Sequence, residues 1–190
     1  MEKSGLSSRF DQALLYAHHL HRNQTRKGTS IPYISHLFAV TALVLEDGGD
    51  EDQAIAALLH DAVEDQGGRA TLKEIEQKFG KQVADMVDSL SDAYGSPKPP
   101  WKQRKERYLA HLESVSPGVR RISLADKLHN ARTLLEDLRR EGPITFERFK
   151  GKREGTLWYF HGLVEVFQRT STSPMVDELT QIVRELERLS

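Results

Sequence analysis

The residues best suited to chemistry stand in one short run, His60-Asp61-Ala62-Val63-Glu64-Asp65, directly after the apolar Ala56–Leu59. On helical spacing His60 pairs with Glu64 and Asp61 with Asp65, each at i, i+4. Carboxylates on one face repel by about a few tenths of a kcal/mol in water and by far more when buried. A divalent cation resolves that conflict directly. By itself an HD dipeptide reads as a frayed, solvated helix end, so the case depends on what else the chain places nearby.

Two further segments supply it. His36 lies 24 residues before His60, in the phrase Pro32-Tyr33-Ile34-Ser35-His36. Later, Asp126, His129, Asn130 and Thr133 fall at i, i+3, i+4 and i+7 and make one polar stripe. Leu124, Leu128, Ala131, Leu135 and Leu138 occupy roughly the opposite side. Such a stripe can be plain solvent face. Asp126 and Asn130 are nevertheless short side chains of modest helix propensity, an odd choice for a solvated surface and a hint of a cleft. Two imidazoles with two carboxylates form a mixed N/O donor set suited to manganese, iron or zinc. A metal held there with open positions generates hydroxide and polarises a phosphoryl oxygen, and Glu64 and Asp65 stand ready to handle protons or orient water.

The elements that must position these residues read as helices throughout. Phe10, Ala13, Leu14, Ala17 and Leu20 follow helical spacing, with Ser8 as cap. Helices are expected from about Ser35 to Glu46, ending at Gly48-Gly49, and from about Asp52 into His60 and Asp61. Thr71 with Glu74 predicts a capping box, Gly80 a stop, and Lys81–Ser91 a further helix. Gly95–Pro100 predicts a loop. Helices over Trp101–Leu112, Val119–Arg139, Thr156–Phe167 and Pro174–Leu189 follow, the last capped by Ser173. The expectation is one all-α domain over residues 1–190 with about eight to ten helices, the proline-rich loop being a surface excursion.

Composition excludes much else. The chain has 190 residues, 27 Lys+Arg against 28 Asp+Glu, and no cysteine. Thiolate catalysis, disulfides and thiolate-held metals are thereby excluded, and a reducing, cytoplasmic setting is expected. A net charge of −1 gives no bulk basicity for nucleic acid. Mean hydropathy is −0.55, and no apolar run suggests a membrane span or a secretory signal. His18, His19 and His21 crowd one turn, but adjacent positions do not share a face, so a second metal site is not expected among them. Nothing in the sequence sets an oligomeric state.

Four segments together resemble the HD-domain metal phosphohydrolases, and among them the hydrolase domain of RelA/SpoT-type alarmone enzymes. They are Gln24-Thr25-Arg26-Lys27 with Pro32–His36; Ala57–Asp61 with Glu64-Asp65; Leu124–Asn130; and Gly155-Thr156-Leu157-Trp158-Tyr159. The resemblance covers about Leu6 to Phe167, leaving Pro174–Ser190 outside it as a packing helix. It departs from the family where Leu37 follows His36, a place commonly held by proline, and at Asp92–Lys105, which has no counterpart. It implies a metal, usually manganese, on His36, His60, Asp61 and Asp126, with Glu64 and Asp65 as the catalytic acidic pair. It implies a nucleotide site lined by Arg26, Lys27, Asn130, Arg132, Thr133 and Tyr159. The implied reaction removes the 3′-pyrophosphate of (p)ppGpp, giving GDP or GTP and pyrophosphate. The length leaves no room for a synthetase domain, so a stand-alone small alarmone hydrolase is expected. Two other readings stay open: the same chemistry on (p)ppApp or NADPH, and a noncatalytic nucleotide-binding module. Lys98, Lys102, Arg104, Lys105 and Arg107 form a second basic cluster, able to steer an anionic substrate or simply to face solvent.

Overall fold

The structure, a computed structural model, describes residues 5–91 and 99–190. Among these there are ten α-helices and one 3-10 helix, with a single isolated bridge, Thr25 to Pro32, as the only extended pairing. The all-α expectation holds. No helix among the described residues is long and apolar enough to cross a membrane. The chain forms two compact units, Met1–Ser96 and Pro97–Ser190. The division falls in the proline-rich stretch; most of the expected Gly95–Pro100 loop, with Lys98, lies outside the described residues.

In the first unit, α1 (Ser8–His21) is capped by Ser7 rather than Ser8, the Ser7 hydroxyl accepting from the Arg9 amide at 3.2 Å. Helix α2 (Ile34–Glu46) stops at Gly48, whose φ of +80° favours glycine. Helix α3 (Glu51–Leu59) opens on Asp50, which accepts from the Gln53 amide at 2.8 Å. Its run Ala54–Leu59 is wholly buried, and α1, α2 and α6 (Lys81–Leu90) pack around it. A run apolar on every face is what a central helix requires. Each fully buried leucine there is worth about 1.5–3 kcal/mol against exposure. The backbone then breaks: α3 ends at Leu59, and a short α4 (Ala62–Asp65) restarts after Asp61. Helix α5 (Arg69–Phe79) begins earlier than the capping box predicted. Thr71 lies inside its first turn and donates to the Gln66 carbonyl at 2.8 Å, while Glu74 accepts from the Tyr16 hydroxyl.

In the second unit, α7 (Trp101–Leu112) and α8 (Pro117–Glu141) precede a 3-10 turn, Gly142–Arg148, that helical spacing had not marked. Helix α8 begins at the Ser116 cap, whose hydroxyl accepts from the Val119 amide at 3.3 Å. Helices α9 (Lys152–Thr170) and α10 (Pro174–Leu189) complete the unit, α10 packing on α8 and α9. Ser173 caps α10 as expected, and its Val176, Leu179, Val183 and Leu186 are buried, in keeping with a packing helix.

Candidate active site

The burial of Ala54–Leu59 is what delivers His60: it places the imidazole at the inner end of α3, where it is 4 % exposed. His36, in the first turn of α2, is equally buried, and the two rings meet edge to face with centroids 5.3 Å apart. Asp61 turns toward both. Its Oδ2 lies 3.0 Å from His60 Nε2 and 3.8 Å from His36 Nε2, and it accepts a hydrogen bond from the Tyr33 hydroxyl.

His60 Nδ1 stands 2.7 Å from the Ala57 carbonyl oxygen, which can only accept. The proton therefore sits on Nδ1, and in the neutral ring Nε2 turns a lone pair toward an anionic oxygen. In that neutral form the arrangement is repulsive, and a cation meeting both atoms relieves it. A backbone carbonyl holding the far nitrogen is also the usual outer support of a metal-bound histidine. The donor set of His36, His60 and Asp61 thus fits a divalent metal and, lacking sulfur, favours one at home with nitrogen and oxygen.

Glu64 and Asp65 follow in α4. The helical bond from the Asp65 amide to the Asp61 carbonyl, 3.0 Å, preserves the expected i, i+4 relation across the break. Asp65 is exposed as a residue, yet its carboxyl is held above the usual aspartate range. Loss of water around the carboxyl is the main cause, reinforced by the Asp61 and Glu64 carboxylates and opposed by the Gln24 amide. Gln24 Nε2 donates to Asp65 Oδ2 at 2.8 Å.

Arg26 and Lys27 lie in the turn joining α1 to α2, closed by bonds between the Arg26 amide and the Ile31 carbonyl and between the Thr29 amide and the Arg26 carbonyl. The Arg26 guanidinium sits 5.6 Å from the centre of the Tyr33 ring, which ties it to the residue that holds Asp61. Lys27 is exposed at the tip of the turn.

In the second unit, α8 carries Asp126 as a buried residue on the stripe that also reads as solvent face. Its Oδ2 accepts from Lys127 Nζ and its Oδ1 from Asn130 Nδ2, each at 2.5 Å. Burial disfavours the Lys127 charge, but Asp126 with Tyr108 and Tyr159 outweighs it and holds the ammonium well above the usual lysine range. Lys127 Nζ lies 5.0 Å from the Tyr108 ring centre, and the Tyr108 hydroxyl is 2.8 Å from Ser123 Oγ. The remaining predicted nucleotide contacts have partners within the unit. Arg132 makes a two-pronged pair with Glu178, both bonds 2.7 Å, and the Thr133 hydroxyl donates to the His129 carbonyl at 2.9 Å. Tyr159 is buried, with Lys105 Nζ 5.0 Å from its ring centre.

Three residues that composition and spacing left without a role stand at the first unit's site: Tyr33, Gln24 and His21. Tyr33 and Gln24 belong to the quoted motifs. His21 was masked by its histidine neighbours, and the one local signal was its i, i+3 spacing from Gln24.

Residues 13–157 match the HD domain family. The guanosine-3′,5′-bis(diphosphate) 3′-pyrophosphohydrolase MESH1 of Mus musculus is 39 % identical over 126 residues, covering 65 % of this chain and 68 % of that protein. The corresponding Homo sapiens protein is 38 % identical over the same span and shares. The bifunctional (p)ppGpp synthase/hydrolase SpoT of Escherichia coli is 36 % identical over 132 residues, covering 66 % of this chain and 18 % of its own. Among solved structures, a metazoan orthologue of SpoT that hydrolyses ppGpp superposes with a TM-score of 0.78 at 28 % identity, covering 95 % of this chain and 97 % of that one.

Proposed function

Because the chain belongs to the HD domain family, in its RelA/SpoT-type small alarmone hydrolase branch, we propose that it hydrolyses the 3′-pyrophosphate of guanosine-3′,5′-bis(diphosphate). The observation that carries the reading is the meeting of His36, His60 and Asp61 beside an acidic pair with one raised carboxyl. We take residues 1–190 as one HD-type hydrolase domain, since the family match crosses the division between the units. Asp126 is assigned as the fourth ligand beside His36, His60 and Asp61, and manganese as the metal.

A bound divalent cation supplies Lewis acidity, lowering the pKa of water and taking up charge on phosphoryl oxygen. The chain's own residues do the rest. Glu64 takes the proton of the attacking water as its oxygen bonds to the phosphorus next to the ribose. The bond from that phosphorus to the 3′ oxygen breaks, pyrophosphate departs, and the 3′ oxygen takes a proton. Asp65 is assigned to that delivery, because a carboxyl that retains its proton more tightly is the better acid. Arg26 and Lys27 neutralise phosphate charge, and Asn130, Arg132, Thr133 and Tyr159 line the nucleotide site. A cysteine-free chain needs no oxidising compartment, and the cytoplasm is its expected setting.

The test is a manganese-dependent panel of ppGpp, ppApp and NADPH, run on the wild-type chain, Glu64→Ala and Asp126→Ala. Rapid release of pyrophosphate from ppGpp, lost in both variants, is expected. Turnover of ppApp or NADPH without ppGpp would move the substrate assignment. Nucleotide binding with no phosphate release under any divalent ion would make the chain a binding module, and full activity in either variant would displace the assigned site.

A further inference from the structure

Two carboxylates of the first unit's candidate site are each held by a side chain from the segment leading out of α1 into α2, Asp61 by Tyr33 and Asp65 by Gln24. His21 underlies both. Its ring is buried, stacks on Tyr33 with centroids 5.3 Å apart and planes 22° from parallel, and brings Nδ1 to 2.7 Å from Gln24 Oε1. Gln66 Nε2 donates to the same oxygen at 2.6 Å. The Gln24 backbone is also fixed, its amide donating to the His21 carbonyl and its carbonyl accepting from the Tyr33 amide. With the amide group placed between Asp65, His21 and Gln66, the choice left is which of its two ends faces Asp65.

An amide oxygen only accepts and an ionised carboxylate only accepts. Two donors on Oε1 therefore turn Nε2 toward Asp65; the opposite rotation would set oxygen against oxygen at 2.8 Å and nitrogen against two N–H groups. We propose that Gln24 is the positioning residue of Asp65, its amide locked in one orientation by His21 and Gln66 so that Oδ2 is occupied and Oδ1 is the oxygen presented for proton transfer. The inference rests on the reading of Asp65 as a proton-transfer group. It places His21 in the role of an anchor and requires its neutral tautomer to be Nδ1–H.

The first measurement is independent of activity: the nitrogen-15 resonances of histidine-labelled, metal-free protein. His21 is expected as the Nδ1–H tautomer in the wild type and shifted in Gln24→Met; an Nε2–H tautomer would overturn the proposal. The second is kinetic, on ppGpp with manganese. Gln24→Met should lower kcat about 10–100-fold with KM within about twofold, since only the reacting geometry changes. Adding Gln24→Met to Asp65→Asn should cost nothing further, because Gln24 acts through Asp65. Additive losses, or a rise in KM with kcat unchanged, would sink it and leave a purely structural role. If Asp65→Asn is fully active, or wild type releases nothing from ppGpp, the reading of the site fails instead, and the tautomer still decides whether the amide is locked.

Discussion

At the scale of single residues, the candidate carboxylates are held by neighbours outside the proposed ligand set. The Tyr33 hydroxyl donates to Asp61 while its ring contacts His21 and His36. Tyr33→Phe keeps the ring and removes the donor, so manganese affinity should fall about 10–100-fold, the usual effect of losing an outer-shell partner. Calorimetric titration of the metal-free protein measures it, and unchanged affinity would remove Tyr33 from the site. Asp65 yields a pH prediction. Its carboxyl is raised in the folded chain, so between the ordinary aspartate range and that raised value the native state binds more protons than the unfolded one. Stability of the metal-free protein therefore declines as pH rises through that window. Asp65→Asn, measured by urea unfolding across it, should flatten the dependence. The sequence made His36, His60, Asp61, Glu64 and Asp65 legible through residue type and spacing. Gln24 and His21 were not, because a hydrogen bond spanning 41 residues, from Gln24 to Asp65, leaves no local pattern.

At the scale of elements, α7 and α9 show what close packing asks of a sequence. A Cβ on Gly151 would lie 2.7 Å from the Trp101 ring, and one on Gly155 3.0 Å from it. Trp101 in turn meets Trp158 and Tyr159 edge-on, at 6.2 and 6.4 Å. Gly155, part of the motif ending in Tyr159, thus has a packing role beside any chemical one. Gly151→Ala should cost about 1–3 kcal/mol, the usual result of overpacking, read as a lower urea midpoint with unchanged slope. Helix existence was legible almost everywhere, since apolar spacing and the Ser173 cap are local signals. Boundaries moved where a side chain had a better distant partner. Glu74 accepts from Tyr16 instead of closing a capping box, and α3 ends at Leu59 where the helix was expected to run into His60 and Asp61.

At the scale of the whole molecule, near-neutral charge conceals local opposites, with carboxylates proposed to gather around a cation and lysines and arginines proposed to meet phosphate. A metal bound by the native chain and not by the unfolded one stabilises it by mass action, about 2.7 kcal/mol at a hundredfold excess over Kd. Manganese should therefore raise Tm, EDTA should reverse the rise, and Asp126→Ala should abolish it. A Tm indifferent to metal in the wild type would count against the proposed ligand set. The sequence by itself determined the helical class, the absence of thiol chemistry and the candidate residues for a metal site, because periodicity, composition and short motifs are properties of neighbours along the chain. Only the tertiary structure decided which polar groups meet. Tyr33 reaches Asp61 across 28 residues, Arg132 pairs with Glu178 across 46, and Gln24 meets Asp65 across 41. Packing of distant helices sets those distances, and a hydrogen bond exists only where both partners arrive within about 3 Å.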